Sequence, residues 1–330
     1  MRKIGFRFFM FCGVFVLLST FPIAIRIAVS AEKAFPNREI EIAVPYAPGG
    51  MVDLATRVVS EDLSKAFGVP VVVVNKSAGN GVEAIQYVSN AKHDGHTMLM
   101  ATNVLFGLYP AMQSNLPYKI SDFIPITRYV NSPNLILVRK ESSWKSLEEL
   151  VTYAKKNPGK LTCGTAGVGS ATHFSLELLN IEAGLDIRHV PFRGGAPANT
   201  ALLGGHVDFG CIAIPTVIGL LQSGELRGLA STAGKISAFP EIPTIAEKGY
   251  PGATLGLWTG LFVYKTVDRS VVATISKTFE KIVKSPQVIP KLVQIGFEFD
   301  YVSGDQFASG IEKDYKKMME VVKKANLVIK

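Results

Sequence analysis

The fold class follows from residues 40–102, IEIAVPYAPGGMVDLATRVVSEDLSKAFGVPVVVVNKSAGNGVEAIQYVSNAKHDGHTMLMAT. It alternates short, predominantly apolar runs with amphipathic helical segments. The runs are 40–46, 69–75 and 97–102, and the helical segments are 52–67 and 82–91. Apolar strands separated by helices are typical of parallel strands that are buried on both faces. The sequence therefore predicts an α/β lobe built from βαβ units.

The same alternation returns after the middle of the chain. The second set has strand-like runs at 161–165, 187–192 and 207–214, with helical segments at 171–183 and 198–204. This set predicts a second α/β lobe. Two lobes suit a chain of 330 residues, because a single hydrophobic core rarely organises so many.

The segments between these sets predict a hinge. Residues 124–138 form an extended run broken by Pro133, and a second extended run, 255–264, precedes two amphipathic terminal helices. A chain that enters a second lobe and returns must cross twice between the lobes. The predicted boundaries are lobe 1 at 32–130 and 256–330, lobe 2 at 131–255, hinge motion at 130–135 and 255–258, and terminal helices at 271–285 and 306–325.

The N-terminus has the pattern of an export signal, residues 1–31. Arg2 and Lys3 precede an apolar run at 8–25, and small residues follow, so cleavage is expected near Ser30 or Ala31. The alternative is an uncleaved membrane anchor, because the apolar run is marginally long enough to span a bilayer. The predicted location is the periplasm.

The composition and the cysteines exclude other classes of protein. A hydrophobic content of 48% with 19% charged residues is typical of a packed globular protein. The basic residues are spread along the chain without interleaved aromatic residues, so nucleic acid is not an expected partner. Cys163 and Cys211 lie in strand-like apolar runs and are expected to be buried thiols, with a disulfide as the alternative.

Three loops rich in glycine and small residues follow predicted strands, which is where open α/β sheets bind ligands. They are 44–53, 164–173 and 191–198. Each leads into a helix start, whose free N–H groups and dipole attract an anion. Two such starts facing each other from different lobes would clamp a carboxylate. The alternative for each loop is an ordinary capped turn, with Ser170 as an N-cap.

Other chemistries fit the sequence poorly. Residues 79–84 match a G-x-G-x-x-A dinucleotide pattern, but the next strand ends at Asn103 without the acidic residue that would hold a ribose. Ser170 lacks the flanking glycines of a nucleophile elbow, and the histidines and cysteines show no zinc-binding spacing. No cofactor and no metal are expected.

At these loops the sequence resembles the Bug or TctC-type substrate-binding proteins of tripartite tricarboxylate transporters. The likeness runs from about residue 35 to the C-terminus, with many motifs in the family's order. They lie at 48–53 with Arg57, 75–81, 94–99, 164–173, 189–198, 205–208 and 243–249.

The resemblance implies a type II periplasmic-binding-protein fold, an α/β fold with two lobes joined by a two-crossing hinge around a central cleft. It also implies that backbone groups of facing loops and ordered waters hold one ligand carboxylate. The ligand-binding residues expected are Tyr46, Ala47, Pro48, Gly49, Gly50, Asp53, Asn103, Thr165, Ala166, Gly167, Ser170, His173, Arg193, Gly194 and Gly195. Among them, Asp53 is expected to order its loop or to meet a ligand ammonium or hydroxyl, and Arg193 is a candidate for the ligand's other end.

The sequence departs from the family at one place. Ile212 and Ala213 stand where the family often has an acid or amide pair, so a ligand with an amino group at that end is disfavoured. A plain or apolar carboxylate is expected instead.

The predicted function is capture of a small carboxylate, a di- or tricarboxylate or related organic acid, by a monomer that delivers it to the permease subunits of a membrane transporter. A ligand that contacts both lobes only when the clamp is closed would favour the closed form. Two alternatives remain. One is a ligand-sensing module for a signalling receptor, and the other is an exported enzyme that uses Asp53, His173 or Ser170. His173 has the further interpretation of a local hydrogen-bonding residue.

Overall fold

The computed structural model describes residues 35–113 and 115–325, and the predicted export signal lies outside them. The strands in this part of the chain are β1 (Ile40–Val44), β2 (Val71–Asn75), β3 (Thr97–Thr102), β4 (Phe123–Arg139), β5 (Thr162–Thr165), β6 (Arg188–Pro191), β7 (Phe209–Ala213), β8 (Leu226–Ser231), β9 (Gly256–Tyr264) and β10 (Glu298–Ser303). The helices are α1 (Met51–Phe67), α2 (Val82–Asn90), α3 (Tyr109–Met112), α4 (Leu147–Lys156), α5 (Ala171–Ala183), α6 (Gly195–Leu203), α7 (Ile218–Gln222), α8 (Arg269–Val283), α9 (Val288–Gln294) and α10 (Gly304–Ala325).

The strands form two sheets that share one long strand. In the first sheet the order is β2-β1-β3-β9-β4, with β10 also paired to β4. In the second sheet β4 pairs with β7 and β8, and β7 continues to β5 and β6. β1, β2 and β3 are parallel, as are β5, β6 and β7, which is the arrangement that alternating strands and helices predict.

Strand β4 carries the chain from the first sheet into the second. Its residues 123–133 pair with β9, and its residues 134–139 pair with β7 and β8. The return passes from β8 to β9. There Thr232 N–H donates to Asn134 O at 2.8 Å and Leu255 N–H donates to Thr232 O at 2.7 Å. Asn134, Thr232 and Leu255 therefore bring the two crossings together.

The strand registers direct the ligand-side loops of both sheets toward these crossings. Leu99 of β3 and Pro125 of β4 pair with the same residue of β9, and so do Thr102 and Val130. Because residue 130 is nearer to the crossing than residue 125, β3 and its parallel neighbour β1 run toward the crossing. In the second sheet Gly210 pairs with Leu137 and Ala213 pairs with Asn134, so β7 and its parallel neighbour β5 run toward it from the other side. The loops after β1 and β5 therefore open toward each other.

Helices cover the sheets with apolar faces. On one side of the first sheet, α1 and α8 bury Val59, Leu63 and Phe279 against strand residues such as Ile42 and Leu261. A second core holds Phe106 from the helical turn after β3, Phe262 of β9, Trp258 beside the crossing, and Phe174 of α5. This second core is continuous from one sheet to the other, so the two lobes are held together by apolar packing as well as by backbone.

Several predicted segments match the structure and some do not. Helix α5 has its predicted bounds. Strand β1 ends at Val44 and not at residue 46, because Pro45 has no N–H with which to continue the ladder. Helix α6 begins at Gly195, three residues before the predicted 198, since Pro197 is tolerated in a first turn. Helix α9 and strand β10 lie between the two predicted terminal helices and were not predicted.

Candidate ligand-binding cleft

The first loop joins β1 to α1 and exposes its backbone. Ala47, Pro48 and Gly49 are exposed, and Gly50 N–H closes the turn onto Ala47 O at 3.2 Å. Gly50 caps α1 in extended conformation without a side-chain hydrogen bond. The N–H groups of the first helical turn, beginning with Met51, therefore have no partner within the described residues.

Asp53 holds this loop from beneath. Its carboxylate is 1% exposed and accepts the Gly49 N–H, the Arg57 Nε–H and the Asn75 Nδ2–H, each at 2.9 Å. Burial opposes ionisation, but these hydrogen bonds, that of Arg57 foremost, lower the pKa of the Asp53 carboxyl below its ordinary value. Both oxygens are occupied by the chain's own donors, so the geometry supports the ordering role for Asp53.

Tyr46 is locked into the same network. Its hydroxyl pairs with Thr102 Oγ1 at 2.9 Å, and its carbonyl accepts from Asn75 Nδ2 at 2.9 Å. Burial raises the pKa of the Tyr46 hydroxyl to about 12, against a smaller opposing effect of the hydrogen bond to Thr102. Tyr46 therefore remains a neutral phenol that fixes the end of β1 against the end of β3.

Asn103 follows β3 and ties the first sheet to the second crossing. Its side chain is 4% exposed, and Nδ2 donates to Gly256 O at 2.8 Å. Its Oδ1 is buried and has no partner among the described residues. Asn103 therefore lies beside the second crossing, and its amide is oriented by the start of strand β9.

The second loop, between β5 and α5, uses most of its own hydrogen-bond donors. Four backbone N–H groups are donated within the lobe. They are Ala166 to Thr172 Oγ1 (2.9 Å), Gly167 to Thr165 Oγ1 (3.3 Å), Gly169 to His173 Nδ1 (3.2 Å) and Ser170 to Gly167 O (3.2 Å). The Ser170 hydroxyl donates to Gly167 O at 2.7 Å and accepts the His173 N–H at 3.2 Å, as an N-cap does. The loop is therefore a preformed turn with few free amides.

Two histidines support this turn. The rings of His173 and His189 stack with centroids 3.8 Å apart. Because His173 Nδ1 accepts the Gly169 N–H, a neutral His173 carries its proton on Nε2, which faces Glu177 Oε1 at 3.6 Å. His189 Nε2 lies 2.6 Å from Thr165 Oγ1. Burial and the neighbouring His173 lower the pKa of His189 to about 4.

The third loop places the start of α6 beside the second loop. Gly194 N–H donates to Ala166 O at 3.0 Å. Gly194 caps α6 without a side-chain hydrogen bond, so the N–H groups of Gly195 and Ala196 have no partner within the described residues. Arg193 is exposed at the edge of this loop. The second lobe thus offers its free amides at α6.

Some residues that shape the site were not among the predicted ones. Asn75 bonds Tyr46 O and Asp53, Thr172 holds Ala166, and His189 holds Thr165. Asn75 stands at the carboxyl end of β2, a position that could have marked it. Thr172 and His189 gave no comparable signal, because their partners are known only once the strands are side by side.

Two cavities lie near the predicted cleft, and the first loop lines neither. One, of about 610 Å³, is an open depression along α6 bordered by Phe192, Ala196, Pro197, Thr200, Ala201 and His206. The other, of about 260 Å³, lies at the crossings between Pro133, Gly234 and Glu298. The predicted ligand contacts of the first loop therefore stay predictions.

The two cysteines of the predicted strands are buried thiols and form no disulfide. Cys163 and Cys211 are free and buried on the adjacent strands β5 and β7, and burial raises the pKa of each thiol. Within residues 35–113 and 115–325, His, Cys, Asp and Glu form no group of three suited to hold a metal ion. In that same part of the chain, every helix is too short or too polar to cross a membrane.

Comparison with known proteins shows that the chain is similar to transport receptors. The family model described as Tripartite tricarboxylate transporter family receptor (TctC) matches residues 55–327. BugT of Bordetella pertussis (strain Tohama I) is 28% identical over 323 residues, covering 96% of this chain and 97% of BugT.

Solved structures match over the same length. R. palustris Rpa4515 with adipate gives a TM-score of 0.84 at 29% identity and covers 89% of this chain and 99% of that chain. MatC (Rpa3494) from Rhodopseudomonas palustris with bound malate gives a TM-score of 0.79 at 29% identity, covering 87% and 100%. These similarities confirm the predicted two-lobed α/β fold class.

Proposed function

The chain belongs to the TctC family of tripartite tricarboxylate transporter receptors, and from that premise we propose that it is a periplasmic solute-binding protein that captures a small dicarboxylate. In this proposal the signal at residues 1–31 is cleaved near Ser30 or Ala31. The loaded protein then delivers its ligand to the membrane subunits of a tripartite transporter and catalyses no reaction.

The observation that carries the proposal is the start of α1. Met51 and the following residue offer unpaired N–H groups at the positive end of a 17-residue helix. The buried Asp53 beneath them is neutralised by Arg57, so its charge does not repel an anion at the turn. Such a site attracts a carboxylate without a lysine or arginine in contact with it.

The second lobe supplies a counterpart at α6, where Gly195 and Ala196 offer unpaired N–H groups. A ligand with a carboxylate at each end can engage both helix starts only when the lobes approach. Its binding energy then favours the closed form. Adipate and malate, named with the two related structures, are both dicarboxylates.

The hydrogen bonds of Ser170 support a role without catalysis. Its hydroxyl donates to Gly167 O, and it is the backbone N–H of His173, not the imidazole, that donates to it. A serine nucleophile needs a base that takes its proton. The His173 imidazole instead accepts from Gly169 N–H, so the two residues form a helix cap.

Ligand binding is tested by calorimetry and thermal shift on the protein purified from the periplasm. We expect malate or adipate to bind and to raise the melting temperature, and the neutral diamide of adipate to do neither. The role of α1 is tested by Met51→Pro, which removes one N–H at a helix position that tolerates proline. The preceding Gly50 is already extended, as a residue before proline must be.

The matched control is Met51→Ala, which removes the same side chain but keeps the N–H. We expect Met51→Pro to weaken dicarboxylate binding about tenfold, the order of magnitude of one hydrogen bond to a charged group, and Met51→Ala to change it little. Failure of every carboxylate to bind, or equal effects of the two variants, would contradict the proposal.

A further inference from the structure

Val168, at the tip of the second loop, is an exposed apolar side chain beside the candidate site. It is 52% exposed, more than the other exposed large hydrophobic side chains of the described residues, which are Val72, Tyr153, Ile181, Leu203 and Met319. The register of β5 and β7 directs this loop toward the first lobe. Val168 therefore lies on a loop that follows β5 toward the first lobe.

Two glycines set the backbone on either side of Val168. Gly167 and Gly169 have φ angles of 134° and 72°, a backbone conformation that other residues rarely adopt. Gly169 is buried and its N–H donates to His173 Nδ1, and a side chain on Gly167 would come within 3.0 Å of Phe192 O. The turn that exposes Val168 therefore depends on glycine at both neighbours.

Most of the polar groups around Val168 are already paired. The N–H groups of Ala166, Gly167, Gly169 and Ser170 are all donated within the lobe, whereas the N–H of Val168 has no partner within the described residues. The loop also adjoins the free amides of α6 through the hydrogen bond from Gly194 to Ala166. At this point of the cleft, the side-chain surface that the loop offers a ligand is hydrocarbon.

We infer that Val168 determines specificity by packing on the hydrocarbon segment of the bound dicarboxylate, so that the protein prefers an unsubstituted methylene chain to a hydroxylated one. This inference rests on the proposed function and specifies its substrate class. A hydroxyl that packs against the isopropyl group loses its water shell and gains no hydrogen-bond partner from that group, whereas methylene groups gain from leaving water.

The test is Val168→Thr, which replaces one methyl by a hydroxyl at nearly constant shape. Calorimetry measures the Kd of succinate, adipate and malate for the wild type and the variant. We expect the wild type to bind adipate more tightly than malate. In Val168→Thr we expect adipate to bind about fourfold more weakly, the effect of about one methylene contact, and malate to change less than twofold.

Two further variants sharpen the result. Val168→Ile adds a methylene and should strengthen adipate binding, and Val72→Thr, at the exposed valine of β2, should leave all three Kd values unchanged. Equal changes for adipate and malate, or none, would overturn the inference. If the wild type binds no carboxylate at all, it is the proposed function that fails.

Discussion

His189 shows how single side chains of the site are set by their neighbours. It lies under the second loop, stacked on His173 and bonded to Thr165, and none of these partners is adjacent to it in sequence. The sequence alone offered His173 as a ligand contact or as a local hydrogen-bonding residue. The hydrogen bond from Gly169 to His173 supports the second role.

The lowered pKa of His189 predicts how stability depends on pH. The folded protein keeps this imidazole neutral down to about pH 4, whereas in the unfolded chain it takes up a proton near the ordinary value of 6.5. Between these values the unfolded state binds more protons, so the free energy of unfolding should fall as the pH falls from about 6.5 to about 4.

Urea unfolding of the wild type and of His189→Gln over this pH range measures the effect. Glutamine keeps a polar group near Thr165 but has no proton to gain. We expect a shallower pH dependence in the variant. Equal slopes for the two proteins would show that His189 does not contribute.

At the scale of elements, the crossing depends on a buried threonine between β8 and β9. Thr232 Oγ1 accepts the Asn134 N–H at 3.1 Å and donates to Leu255 O at 2.8 Å, and the residue has no exposed surface. It thereby joins both chain segments that run between the lobes. The extended run broken by Pro133 predicted the first of these segments, but not the residue that holds them together.

We expect Thr232→Val to reduce the free energy of unfolding by about 1–3 kcal/mol, because it leaves a buried N–H and a buried carbonyl without partners. Chemical denaturation measures the change. Thr200→Val on α6 is the matched control, since Thr200 is exposed and its hydroxyl bonds only within its own helix. A comparable loss in both variants would contradict a special role for Thr232.

For the whole molecule, the two crossings and the loops that open toward each other predict that a bound ligand changes the relative orientation of the two lobes. Contacts near the crossing also join them, since Ser237 N–H and hydroxyl donate to Glu298 of β10 at 2.7 Å and 2.6 Å. These hydrogen bonds lie close to the crossing, because Glu298 pairs with Asn131 of β4. A rotation of the lobes about the crossing therefore moves them little.

Small-angle X-ray scattering tests this motion. We expect the radius of gyration to fall when a bound dicarboxylate saturates the protein, because ligand that contacts both lobes favours the closed form. The diamide of adipate serves as the control and should leave the curve unchanged. A saturated protein with an unaltered radius of gyration would exclude closure as the consequence of binding.

Features that depend on residues near one another in the chain could be predicted from the sequence. Alternation of apolar runs and helical segments specified two α/β sets, and glycine, serine and proline marked the loops and the bounds of α5, because periodicity and capping act within a few residues. The motifs of the loops were also sufficient to identify the family.

Which groups remain free to bind depends on how the strands and helices pack. The sequence did not predict that β4 belongs to both sheets or that β10 joins the first sheet. Nor did it predict that the N–H groups of the second loop donate to Thr172, Thr165 and His173. Pairing of this kind joins residues far apart in the chain, and hydrogen-bond satisfaction is a property of the packed neighbourhood. Free amides had been expected at all three helix starts, and the structure showed that they remain at α1 and α6 while the loop before α5 uses most of its own.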